Sequence, residues 1–126
     1  MLPLATDSIP ADATHFLADG RALTLTHAYD WHECGDPVPD EDGEWNMLCV
    51  FATIGGMRVG HSEFILRGGR LLPNNVEVVP EARRHGIATA MYVFAEKHTG
   101  LVCVPHSIQS ADGAAFWAQR TRPFGK

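Results

Sequence analysis

Cysteine is scarce in this chain and never closely spaced: Cys34, Cys49 and Cys103 are the full set, and no Cys-x-x-Cys pair occurs. That spacing offers neither a zinc knuckle nor a dithiol redox centre, and a reducing cytosol is the simplest home for three lone thiols. Long apolar runs are missing as well. No stretch approaches the ~20 residues of a membrane-spanning helix. Met1-Leu2-Pro3-Leu4 runs at once into Asp7 and Pro10, unlike a secretory leader. Positive charge is in short supply too. Ten Lys and Arg against fifteen Asp and Glu leave a formal charge of −5, which argues against nucleic acid as a partner. The expectation is a cytoplasmic protein that binds neither nucleic acid nor membrane.

What is present is ordinary for a soluble globular fold: 45% apolar and 20% charged residues in 126, enough for one core. Residues 1–126 therefore read as a single domain, without internal repeats. Pro3, Pro10 and Gly20 keep residues 1–20 irregular or briefly helical. Leu23 and Leu25 alternate with Thr24 and Thr26 in a first strand over residues 21–29. Residues 30–44 form a long polar loop with Gly35, Pro37, Pro39 and Gly43, a length that is more often functional than idle. Two strands, residues 45–54 and 57–66, meet at Gly55-Gly56, a hairpin signal. Gly68-Gly69 turns the chain into a strand over residues 71–79. A helix over residues 84–99 then ends at Gly100. Residues 101–104 read as a buried strand, and Ser110 can cap a last helix that runs to residue 120. The apolar stripe Ile87, Met91, Phe94, Ala95 and His98 predicts the buried face of the main helix.

Residues 76–91 carry the chemistry. Val76, Val78 and Val79 favour a strand, and Pro80 cannot donate a ladder bond and so ends it. Arg83, Arg84, His85 and Gly86 form a basic turn, and from Ile87 the chain is helical. A strand feeding a helix through such a turn leaves the first helical N–H groups unpaired at the positive end of the dipole. That is an anion site, here with two guanidinium groups beside it. Gly86 has no Cβ to hold a phosphate away. Neither a Gly-Lys-Ser/Thr P-loop nor a Gly-x-Gly-x-x-Gly dinucleotide turn is present.

The pattern Val78-x-Pro80-x-x-Arg83-x-x-Gly86-x-Ala88 resembles the acetyl-CoA motif of the GCN5-related N-acetyltransferase (GNAT) family. The resemblance extends over residues 45–120 through the order of elements. Asp112-Gly113-Ala114-Ala115-Phe116-Trp117 looks like the family's late motif. The resemblance implies an α/β fold: a mixed, mostly antiparallel sheet with a splayed parallel strand pair. It implies acetyl-CoA as co-substrate and direct transfer of the acyl group to an amine. Val78, Val79, Arg83, Arg84, His85, Gly86, Ile87, Ala88 and Thr89 would hold CoA, and the backbone of residues 77–79 would pair with pantetheine like a missing strand.

Three departures from the family stand in the sequence. The loop over residues 30–44 replaces two helices. The chain stops soon after the last helix, so the terminal strand pair is missing; either a homodimer completes the sheet or it stays short. Trp117 occupies the place where many members have a tyrosine that protonates the thiolate, and an indole cannot supply that proton. For the base, the two positions that resemble the family's basic residue are Leu72 and Asn74, neither titratable. Glu77 lies nearest the splay, but alternation from Val78 turns it to the other face unless a bulge intervenes. His106, Ser107 and Ser110 follow the second parallel strand and are candidates for the thioester end, with turn and cap roles as the alternative. Tyr29, Asp30, His32, Glu33 and Cys34 are polar neighbours, but one cysteine in a loop is weak support for a metal, and none is expected. Asp36, Asp40, Glu41, Asp42 and Glu44 would attract a cationic amine acceptor, or merely solvate the loop. The competing reading is a GNAT-like module that binds CoA or a protein without catalysis.

Overall fold

A computed structural model describes residues 13–29, 47–105, 111–119 and 122–126. Six strands form one sheet in sequence order: β1 (Ala13–Phe16), β2 (Ala22–Tyr29), β3 (Met47–Ile54), β4 (Met57–Arg67), β5 (Arg70–Val78) and β6 (Val102–Cys103). The first five pair antiparallel, and β5 and β6 pair parallel, as expected. Two tight turns set the meander. Gly55 and Gly56 have φ of 57° and 82°, and Gly68 and Gly69 have 59° and 73°. Two successive positive φ values are what a two-residue hairpin needs, and only glycine adopts them without strain. Among the described residues no helix is long and apolar enough to cross a membrane.

A 3₁₀ turn (Pro80–Ala82) follows β5. The main helix, α1 (Ile87–Thr99), then lies across one face of the sheet, and a short helix, α2 (Ala111–Trp117), follows β6. Leu23, Leu48, Val50, Phe64 and Leu71 from the strands meet Ile87, Met91 and Ala95 from α1, each 2% exposed or less. α1 crosses β4 so closely that a Cβ on Gly60 would lie 3.1 Å from Ile87 Cγ2 and 3.2 Å from Met91 Cε. Gly60 is the thin spot that lets helix and sheet touch.

Several expectations need correcting. Residues 13–16 are a strand rather than irregular lead-in, paired with β2 from Ala13↔Leu25 to Phe16↔Ala22. The regular helix begins at Ile87, three residues later than the sequence suggests, because residues 80–82 wind separately. Phe94 is only half-buried, in ring contact with His27 and His98 at centroid distances of 6.4 and 5.6 Å, and His98, the last residue of the expected stripe, is exposed because it lies at the end of the helix. Tyr92, absent from the expected stripe, is buried instead, in an aromatic cluster with Phe116, Trp117 and Phe124 at 4.7–5.8 Å. The last strand is two residues long, and of residues 101–104 only Cys103 is fully buried.

The outer side of β6 is closed by the chain itself. Glu96 Oε2 accepts the Cys103 N–H at 2.7 Å and the Gly125 N–H at 2.8 Å, so one carboxylate of α1 ties β6 to the C-terminal tail. Phe124, 1% exposed, fills the aromatic cluster, and the Arg122 Nη1 donates to the Trp117 carbonyl. A tail fixed this way gives the edge amide of Cys103 a partner and covers the core.

Candidate functional site

The turn between β5 and α1 contains two left-handed residues, Arg84 (φ 67°) and Gly86 (φ 80°). Glycine takes that conformation freely; an arginine there stores about 1 kcal/mol or more, a strain that concentrates at functional turns. Gly86 occupies the N-cap position, with no side chain capping the helix and no acidic residue in its first turn. The first bond of the helix ladder runs from the Ala90 N–H to the Gly86 carbonyl at 2.9 Å. The N–H groups of Ile87, Ala88 and Thr89 thus lie ahead of the ladder and point out of the helix end.

Those donors face a cleft of about 300 Å³ lined by Val78, Ala82, Arg83, Arg84, Gly86, Ile87, Ala88, Thr89, Phe116 and Gln119. Seven of the nine residues named from the motif line it. Val79 and His85 do not. The Val79 N–H donates to the Val59 carbonyl at 2.9 Å, so its amide faces β4. His85 is exposed, with Nδ1 4.0 Å from Asp19 Oδ2. Strand alternation turns the Val78 backbone the opposite way, toward the open edge, where its carbonyl accepts Arg83 Nε at 2.9 Å. Of the backbone expected to act as a pairing edge, Val78 is the residue so placed. Phe116, from α2, and Gln119, just after it, were not legible as lining residues; the sequence marked Phe116 only as part of the late motif.

The open edge arises from the topology. β6 pairs with β5 at Arg70 and Leu71, and the last bond between them runs from the Val104 N–H to the Leu71 carbonyl at 2.9 Å. From Pro73 to Val78, β5 has no strand beside it on that side among the described residues. No bulge intervenes at Glu77; the one in this strand pair sits earlier. Asn75 pairs with Glu63 and Pro73 with Phe64, which leaves Asn74 as the inserted residue. Alternation therefore holds at Glu77, which is exposed on the face turned from α1. Asn74 Nδ2 donates to Glu63 Oε1 at 3.3 Å.

Trp117 is 9% exposed and packs edge-on against Phe124 at 5.2 Å, so it is a core residue. Tyr92 is near, but burial holds its hydroxyl well above the usual phenol range. Neither is among the residues that line the cleft. Among the described residues no three or more His, Cys, Asp or Glu side chains converge as a metal site. His106, Ser107, Ser110, Asp30, His32, Glu33, Cys34 and the acidic residues of the loop over residues 30–44 lie outside the described residues.

No protein-family model matches the chain, and no curated protein matches it. Its likeness is to solved structures. The PaiA N-acetyltransferase of Thermoplasma acidophilum, crystallised with coenzyme A, is 19% identical at a TM-score of 0.50, covering 57% of this chain. This chain spans only 48% of that protein's length. An aminoglycoside acetyltransferase, meta-AAC0020, from an uncultured soil metagenomic sample is 13% identical at a TM-score of 0.54, over 80% of this chain and 88% of its own. Ribosomal-protein-alanine N-acetyltransferase from Brucella melitensis biovar Abortus 2308 gives 15% identity and 0.50, over 82% and 99%. All three are GNAT acetyltransferases. The six-stranded, mostly antiparallel sheet with one parallel pair found here matches these neighbours, and this chain has the GNAT fold.

Proposed function

We propose that the protein is an acyl-CoA-dependent N-acyltransferase that uses acetyl-CoA and transfers the acyl group directly to an amine. The observation that carries this reading is the uncapped start of α1 opening into the 300 Å³ cleft beside the free edge of β5. Three unpaired N–H donors, a helix dipole and the Arg84 guanidinium suit a pyrophosphate. Val78 gives pantetheine a backbone edge to pair with, and Phe116 offers an apolar wall. Direct transfer asks little more than a held thioester and an amine brought to it neutral. The solved structures of the same fold act on amines of different kinds, by name an aminoglycoside and a ribosomal-protein alanine, so the acceptor here is an amine of unspecified kind.

The test is release of free CoA thiol from acetyl-CoA, with and without a panel of primary amines: a polyamine, an amino sugar and peptides with free N-terminal or lysine amines. Amine-dependent thiol release with stoichiometric amide is expected. Binding of acetyl-CoA without release against any amine would favour a non-catalytic CoA-binding module instead.

A further inference from the structure

The face of the sheet turned away from α1 carries a polar constellation that the CoA turn does not use. Gly60, Ser62 and Phe64 of β4 point toward α1, so alternation turns His61 and Glu63 to the opposite face. There the His61 ring stacks on Phe51 at 5.2 Å and 8°, and the Arg58 guanidinium lies 4.3 Å from the same Phe51 ring. His61 Nε2 is 3.4 Å from Glu63 Oε2, and Glu63 Oε1 accepts from Asn74 at 3.3 Å. Asn74 is the inserted residue of the β5 bulge, next to the point where β6 leaves β5. Glu77 pairs across from His61 on the same face. The Glu63 carboxylate thus accepts a hydrogen bond from Asn74 and lies beside His61, on the strand next to the one where the sheet splits and on the side opposite the main helix.

We infer that Glu63 is the base that takes the acceptor's proton, that Asn74 and His61 are its positioning residues, and that a cationic primary amine approaches on this face. The inference rests on the N-acyltransferase reading and names the acceptor side of that same site. Glu63 suits the part better than the two candidates on β5. Asn74 cannot titrate, and Glu77 is exposed with no partner fixing it among the described contacts. The Glu63 side chain is 21% exposed, enough to meet an incoming ammonium and to return a proton to water. In the reaction Glu63 takes one proton from R–NH₃⁺. The freed nitrogen lone pair attacks the thioester carbonyl carbon, the C–N bond forms and the C–S bond breaks. The sulfur leaves with the bonding pair and takes up the second nitrogen proton, giving amide and free thiol.

The experiment compares wild type, Glu63→Gln and His61→Gln for acetyl-CoA-induced thermal shift and for turnover of the best amine across pH. Glu63→Gln should keep the thermal shift and lose about 10²–10⁴-fold in kcat/KM near neutral pH, the usual worth of a positioned base. The loss should shrink as pH rises toward the amine's own ionisation. It should be small for a weakly basic aromatic amine, which is neutral without help. His61→Gln should show the same pattern with a smaller amplitude, a pH signature that a merely structural residue would not give. Turnover of Glu63→Gln within threefold of wild type overturns the assignment, and so does a loss that is equal for basic and weakly basic amines. A wild type that shows the shift but acylates no amine overturns it too. Absence of the shift in wild type overturns the CoA reading itself.

Discussion

At its C-terminal end α1 is closed by hydrogen bonds on every side, while its N-terminal end is left bare. Gly100, in the left-handed conformation at φ 75°, donates its N–H to the Glu96 carbonyl at 2.8 Å. Thr99 Oγ1 donates to the Ala95 carbonyl at 2.8 Å and accepts the Leu101 N–H at 3.1 Å. Glu96 reaches past that end to hold Cys103 and Gly125. At the other end no side chain caps the helix, and the turn spends strain at Arg84. Backbone groups left open at a helix start are met by water or by a ligand, and we propose that here the open donors serve a ligand. One end is built for stability, and the other is the end we propose for a ligand.

That contrast can be broken by mutation. The largest effect belongs to the closed end. Glu96→Ala leaves two amides without an acceptor and should cost about 3–6 kcal/mol in urea unfolding, at about 1.5–3 kcal/mol per hydrogen bond to a charged group. Glu96→Gln, which keeps a carbonyl oxygen, should lose only about 1 kcal/mol. Equal losses would mean that the charge, not the two bonds, is what holds the tail.

The second effect is alkaline. Burial, and then the Glu96 carboxylate beside it, pushes the Cys103 thiol well above its ordinary range. Below about pH 8.5 the thiol is protonated whether the chain is folded or not, and its contribution is fully present. Above that pH the unfolded chain releases the proton and the folded one does not. Stability then falls with rising pH by about 1.4 kcal/mol per unit for this group. Cys103→Ala should remove that much of the slope between pH 9 and 10; an unchanged slope would place the thiol in contact with water.

The smallest effect is at the open end. Arg84→Gly relieves a left-handed arginine and should stabilise the ligand-free protein by about 0.5–1 kcal/mol while weakening CoA binding. A destabilised variant would show that the arginine has a structural task at this turn.

The sequence made the open end legible and the closed end largely not. Val78, Pro80, Arg83 and Gly86 stand in consecutive order, and a strand–turn–helix is local, so its geometry follows from the residues that form it. Gly100 as the helix terminator was readable for the same reason. Glu96 was not, because a charged residue off the apolar stripe reads as solvated, and only the tertiary fold brings Cys103 and Gly125 to it. Tyr92 escaped because its partners Phe116, Trp117 and Phe124 lie 24 to 32 positions further on. β1 escaped because four residues with one half-buried and three exposed carry no periodicity. His61 and Glu63 show the strand period of two plainly in Gly60-His61-Ser62-Glu63-Phe64. Their importance appears only once the β5 bulge sets Asn74 against Glu63.

The central claim is that the start of α1 is an anion site for CoA, and charge at residue 86 tests it most directly. Gly86→Asn and Gly86→Asp differ by a single charge, share a size, and are the two non-glycine residues most tolerant of the left-handed backbone found there. Calorimetric titration with CoA should give at least about tenfold weaker binding for Gly86→Asp than for Gly86→Asn, a gap that narrows with added salt. Both variants should melt within a few degrees of wild type without ligand. Equal affinities for the two variants, at low salt and with both folded, would contradict the assignment of phosphate to this turn.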